Sequence, residues 1–215
     1  MSKILFVNKK TPDKEVIQKA INVIKSGGVI VYPTDTLYGL GANALDSSAI
    51  LRVFKIKNRP LTQALPVIVS DLDMAKKLTF ITQEAEQLMK IFWPGPLTII
   101  LEKKPIVPQI ITGGKEGIGL RIPKHVLPLA ISKISGLPLI ATSANKHGGL
   151  SPVEISDVLY QFKEGIDLFI DGGKSEIGFG STVIDLTRRP PMLLREGSIT
   201  KENIESIIGS VENRR

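Results

Sequence analysis

The sequence predicts an α/β fold, a single domain whose twisted, mixed sheet is flanked by helices. Three observations predict it. Short β-branched runs recur along the whole chain, amphipathic stretches with capping residues lie between several of them, and no internal repeat or low-complexity segment breaks the pattern. With 215 residues the chain can bury a core of sheet and helix without disulfide or metal staples.

The first element expected is a helix over 14–26. Val16, Ile17, Ala20, Ile21 and Ile24 recur at helical spacing behind Asp13, a candidate N-cap, and Gly27-Gly28 supplies a stop. Val29 to Tyr32 then reads as a strand ending at Pro33. Further strands are expected at Pro66 to Val69, Leu97 to Leu101, Ile118 to Ile122, Leu137 to Ala141, Leu168 to Ile170, Thr182 to Leu186 and Met192 to Leu194. Between them, Asp46 stands before Ile50, Leu51, Val53 and Phe54, and Thr82 stands before Ala85, Leu88, Met89 and Phe92, two capped amphipathic helices. A last helix, Lys201 to Ile208 behind Thr200, precedes a polar basic tail expected to fray. The glycines and prolines (19 and 14) sit mainly at Pro94-Gly95-Pro96, Gly113-Gly114, Gly148-Gly149 and Gly172-Gly173, as loops inside one domain.

Composition removes several chemistries. There is no cysteine, so disulfides, thiolate catalysis and sulfur-ligated zinc are excluded. The only histidines are His125 and His147, too few for a histidine-rich metal site. The apolar run Ile4 to Val7 is too brief for a signal peptide, and no stretch approaches the roughly 18 apolar residues of a membrane span, so a cytoplasmic protein is expected. Lys and Arg exceed Asp and Glu by 28 to 21, a net charge of +7 that suits anionic partners such as nucleotides or RNA.

Familiar signatures fail. Asp171-Gly172-Gly173-Lys174-Ser175 resembles the end of a P-loop, but Leu168 stands where its first glycine belongs, and a turn is the plain reading. Gly39 and Gly41 begin a dinucleotide fingerprint that Ala44 does not complete. No GxSxG or HExxH occurs. Three loops at the ends of predicted elements remain. Pro33-Thr34-Asp35-Thr36-Leu37-Tyr38-Gly39-Leu40-Gly41 combines hydroxyls with glycines that would let backbone approach a small polar ligand, or forms a tight turn capped by Asp35. Lys57-Asn58-Arg59-Pro60 is a cationic ligand loop or a solvated helix terminus. Ala141-Thr142-Ser143-Ala144-Asn145 lies at the C-terminal end of a buried strand, where open α/β sheets hold ligands, or is an Asx or Ser turn.

At these loops the chain resembles the YrdC-like family of L-threonylcarbamoyl-adenylate synthases. PTDTLYGLG, the KxR signature Lys57-Asn58-Arg59 and the SxN signature Ser143-Ala144-Asn145 all match, as do WPGP at Trp93 to Pro96, RIP at Arg121 to Pro123, Ser151-Pro152, GST at Gly180 to Thr182 and Leu194-Arg195-Glu196-Gly197. The match covers about residues 14–208, leaving 209–215 as tail. It resembles the short form, without the additional C-terminal domain of longer members. The resemblance implies one domain around a basic cavity in which ATP, bicarbonate and L-threonine meet with a divalent ion, Mg2+. By it, Thr34, Arg121, Ala141 and Ser181 form the threonine pocket, and Lys57, Arg59, Gly117, Ser143, Asn145, Ser151 and Arg195 contact ATP.

The implied reaction joins the threonine amine to bicarbonate and lets the resulting carboxylate attack the α-phosphorus of ATP. It needs no enzyme nucleophile, and no residue is assigned as one. Metal ligands and the group that deprotonates the amine stay open. His147 and Asp35 are candidates, with an exposed turn and a turn cap as their plainer roles, and His125 reads as capping or surface. The product would pass to a downstream threonylcarbamoyl transferase acting on tRNA. An RNA-binding module without catalysis is the alternative. Aromatics make up only 5% of the chain, which argues against base stacking and leaves weak electrostatic RNA contact open.

Overall fold

The computed structural model describes residues 3–214. In chain order its elements are β1 (Lys3–Phe6), α1 (Lys14–Lys25), β2 (Ile30–Tyr32), β3 (Gly39–Gly41), α2 (Ser47–Lys57), β4 (Val67–Ile68), α3 (Leu72–Leu78), α4 (Gln83–Phe92), β5 (Leu97–Glu102), β6 (Gly117–Arg121), α5 (Val126–Ser135), β7 (Leu139–Ile140), β8 (Thr142–Ser143), α6 (Ile155–Gln161), β9 (Leu168–Asp171), β10 (Thr182–Asp185), β11 (Met192–Arg195), α7 (Lys201–Ile208) and β12 (Glu212–Asn213).

Side-chain chemistry sets the helix starts. The Asp46 carboxylate accepts from Ser48 N and Ala49 N at 2.8 and 3.2 Å, and Thr82 accepts from Ala85 N, which satisfies amides the helix cannot. Asp13 holds the N-cap position of α1 without a side-chain bond to it. That helix buries Val16, Ile17, Ala20, Ile21 and Ile24, the predicted stripe. The seven-residue helices α3 and α6 are too short to show periodicity in sequence.

The expected single sheet is two. One has the order β1-β9-β2-β3-β8 and the other β12-β11-β10-β5-β6-β4-β7, each mixing parallel and antiparallel pairs. The physical reason lies in the run predicted as one strand, Leu137 to Ala141. Ile140 pairs with Val67 of β4 in the second sheet, whereas Thr142 pairs with Leu40 of β3 in the first. Ala141 sits at the changeover, its N–H donating to Pro66 O at 2.8 Å. The two sheets therefore meet at the loop that carries the SxN residues.

A large apolar cluster includes Val31, Phe54, Val67, Leu97, Ile99 and Leu120, and a second packs α1 and α5 against Ile30, Leu168 and Ile170. The tail expected to fray instead adds β12 parallel to β11, with Glu212 opposite Met192 and Asn213 opposite Leu193. Both strand residues are exposed, while Val211 just before them is buried and donates its N–H to Glu205 Oε1 at 3.0 Å. Among the described residues no helix is long and apolar enough to cross a membrane.

Candidate functional site

The segment between β2 and β3 is the hub of the site. Thr34, not Asp35, caps its turn: Thr34 Oγ1 accepts from Thr36 N and Leu37 N at 3.1 and 3.2 Å. Tyr38 N donates to Pro152 O at 2.9 Å and Ala144 N donates to Tyr38 O at 2.8 Å, while Gly39 pairs with Ser143. The carbonyls of Asp35 and Thr36 accept from Ile177 N and Gly178 N, both at 3.0 Å, which draws in the loop leading to Ser181. The two glycines have a packing role. A Cβ at Gly39 or Gly41 would meet the Tyr32 ring at 2.9 or 2.5 Å, so these positions admit the buried ring rather than a ligand.

From this hub the KxR and SxN loops meet through the Lys57 side chain and through its carbonyl, which accepts from His147 N at 2.8 Å. α2 ends at Asn58 in the left-handed conformation (φ 50°), where asparagine is tolerated, and the chain turns with Arg59 N donating to Phe54 O. Lys57, in the last turn, is 1% exposed. Its Nζ donates to Ser143 O, Asn145 O and Asn145 Oδ1 at 2.5, 2.6 and 3.2 Å. Three acceptors match three ammonium hydrogens. Burial, with the charge of Arg59 nearby, pushes Lys57 down to about 7, while the three oxygens favour the ammonium form. The Ser143 hydroxyl donates to Asn145 Oδ1 at 2.6 Å, and Asn145 Nδ2 donates to Gly149 O at 2.7 Å. Arg59 folds onto its own loop, donating to Gln63 O and Ala64 O at 3.1 and 2.9 Å.

On the other side of the hub, β6 delivers Arg121 into the interior at 8% exposure. Its Nε donates to Gly95 O at 2.9 Å, Nη1 to Thr36 Oγ1 at 2.8 Å and Nη2 to Asp35 Oδ1 at 2.6 Å. Asp35 is therefore a buried ion-pair partner, a role the sequence did not reveal because 86 residues separate the two. Arg195, at the end of β11, lies over Gly180, where a Cβ would meet its Cζ at 2.8 Å. It donates to Ser181 O and Ser181 Oγ at 2.8 and 3.2 Å and remains solvent-exposed on one side. Ser181 in turn shares a hydrogen bond of 2.8 Å with Thr98. Burial lowers the pKa of Arg121, and burial and the charge of Arg121 lower that of Arg195. Two close cations of like sign favour an anion between them.

The remaining predicted residues are placed as follows. Ala141 is at the sheet changeover beside the SxN loop, and exposed Ser151 precedes Pro152, which is bonded to the hub. Gly117 is not brought to the cluster. It opens β6 opposite Glu102, about 13 Å along the strand from Arg121, and a Cβ there would meet Ile100 Cγ2 at 2.8 Å. His147 is exposed, as expected of a turn residue. His125 caps α5, its Nδ1 accepting from Leu127 N at 3.3 Å. A cavity of about 390 Å³ between α3, α4 and Trp93, and an open groove of about 540 Å³ beside Val7 and Gly172, contain none of the predicted site residues.

The profile of the Sua5/YciO/YrdC family, described as "Telomere recombination", matches residues 22–197. The threonylcarbamoyl-AMP synthase of Pyrococcus abyssi is 43% identical over 91% of this chain and 58% of its own length. The putative threonylcarbamoyl-AMP synthase of Methanocaldococcus jannaschii is 36% identical over 86% of this chain and 87% of its own. The crystal structure of P. abyssi Sua5 complexed with L-threonine superposes with a TM-score of 0.95 at 41% identity, covering 99% of this chain and 63% of that one. Escherichia coli YciO gives 0.83 at 30%, over 92% and 97%. The chain thus spans under two-thirds of the length of the P. abyssi relative and nearly all of YciO. Matched in sequence from residue 22 to 197 and in fold over nearly its whole length, the chain belongs to the Sua5/YciO/YrdC family.

Proposed function

We propose that the chain condenses L-threonine, bicarbonate and ATP to threonylcarbamoyl-AMP and pyrophosphate, a nucleotidyl transfer that feeds a threonylcarbamoyl transferase acting on tRNA. The observation that carries this reading is the hub, where three separate segments bring two pairs of cations, Lys57 with Arg59 and Arg121 with Arg195, around hydroxyls and one carboxylate. Such an arrangement suits a polyanion beside a small zwitterion. The synthase names of the relatives, and the threonine in the P. abyssi structure, support the same reading.

In this proposal, the unused N–H groups of Arg121 meet the threonine carboxylate, with Thr34, Ala141 and Ser181 around it. Arg195 and Arg59 face phosphate oxygens, since guanidinium offers paired donors to them. Lys57 acts indirectly, orienting Ser143 and Asn145 toward the nucleotide. The carbamate formed from the amine and bicarbonate displaces pyrophosphate at the α-phosphorus, and the site contributes in-line positioning and charge neutralisation. Among the described residues no group of three His, Asp or Glu side chains could hold a metal ion. In this proposal Mg2+ would enter on the ATP phosphates, its usual ligands together with one or two carboxylates.

The test is incubation with ATP, magnesium, labelled bicarbonate and a panel of amino acids. Pyrophosphate and an acid-labile labelled adenylate are expected with threonine and far less with valine, which lacks the hydroxyl. Release of no pyrophosphate with any amino acid would overturn the proposal.

A further inference from the structure

Among the described residues, three buried side-chain atoms have no hydrogen-bond partner: Asp35 Oδ2, His125 Nε2 and Ser175 Oγ. They belong to segments that meet. Ser175 stands two residues before Ile177, which is bonded to the Asp35 carbonyl, and the His125 ring feels the charges of Asp35 and Glu176. Asp35 is 3% exposed. A carboxylate oxygen left unpaired in such a place is costly, and native folds rarely keep one without a use.

The guanidinium bound to the other oxygen of Asp35 is also incompletely used. Three of the five N–H groups of Arg121 are occupied, by Gly95, Thr36 and Asp35. An open acceptor of negative charge thus adjoins open donors of positive charge. An α-amino acid presents the complement, ammonium and carboxylate on one carbon. With it in place, four charges alternate in sign around a ring, and each is neighboured by its opposite.

We propose that Asp35 binds the α-amino group of the substrate amino acid while Arg121 beside it takes the carboxylate. This rests on the synthase reading and adds the residue that recognises the amine. The contact outlasts loss of the ammonium proton, because a neutral amine still has N–H groups to donate, and the nitrogen lone pair is then directed away from the carboxylate.

The experiment is titration calorimetry on the full chain, with α,β-methylene-ATP present, using L-threonine and 3-hydroxybutanoate, which lacks the amine. Wild type should prefer threonine by at least about tenfold, and Asp35→Asn should cut that preference by at least about tenfold, since a charge-assisted bond is replaced by donor facing donor. A merely structural role would weaken both ligands alike and leave the ratio unchanged. If Asp35→Asn does not fold, the wild-type preference decides, and equal affinities overturn the inference. Threonine binding whose preference survives Asp35→Asn overturns the inference and leaves the synthase reading standing, whereas no threonine binding by wild type overturns both.

Discussion

Lys57 and Arg121 are both buried cations, each with a partner 86 residues away in sequence, yet the fold treats them in opposite ways. All three hydrogens of the Lys57 ammonium go to oxygens of the SxN loop, and those oxygens are neutral. Arg121 keeps two N–H groups free, and its charged partner Asp35 keeps one oxygen free. The first arrangement is closed and works as a latch between two loops. The second leaves charged donors and a charged acceptor unused, as the proposed contact with the substrate requires. Burial alone therefore does not distinguish the two cations, whereas the number of unused donors and acceptors does.

The two cations should differ most in what their loss does to stability. Arg121→Met would leave the Asp35 carboxylate buried and unpaired, which should cost about 3–5 kcal/mol. Lys57→Met leaves only neutral carbonyls behind and should cost less, about 1–3 kcal/mol, together with a loss of adenylate formation as the SxN loop loosens. Urea unfolding of the two variants checks the order, and a larger loss at Lys57 would break the distinction between charged and neutral partners.

A smaller effect concerns pH. Lys57 is held at about 7 in the fold against an ordinary value of 10.5. Between those values the unfolded chain binds more protons, so this group makes the fold more stable as pH rises from about 7 toward 10.5, and its penalty is full below. The stability deficit of Lys57→Met should accordingly widen between pH 7 and about 9.5. A deficit that stays flat in urea midpoints would show that the three oxygens hold the ammonium at its ordinary value.

Much of the fold was legible where apolar side chains carried the signal. The stripe of α1 and the runs of β5, β6 and β10 appear within a residue or two of their expected limits. The division into two sheets was not legible. It depends on β3 and β8, three and two residues long and made of Gly-Leu-Gly and Thr-Ser, whose pairing is written in backbone geometry. The tail strand β12 escaped for the same reason. At the site, hydroxyls, glycines and cations after strand ends singled out loops that the fold brings together, but not the roles of single residues. A lysine at a helix end looks solvated until its acceptors arrive from a distant loop. Asp35 beside two threonines looks like a turn cap until Arg121 comes to meet it.

Arg195 tests the open side of the comparison most directly, because it combines free donors with partial exposure and little structural duty beyond Ser181. The decisive measurement is calorimetric titration of ATP with magnesium into wild type, Arg195→Ala and Arg188→Ala, the last an exposed arginine paired with nearby Asp185. Arg195→Ala should weaken ATP binding by at least about tenfold with the thermal midpoint nearly unchanged, and Arg188→Ala should do neither. Wild-type ATP affinity in folded Arg195→Ala would contradict the account.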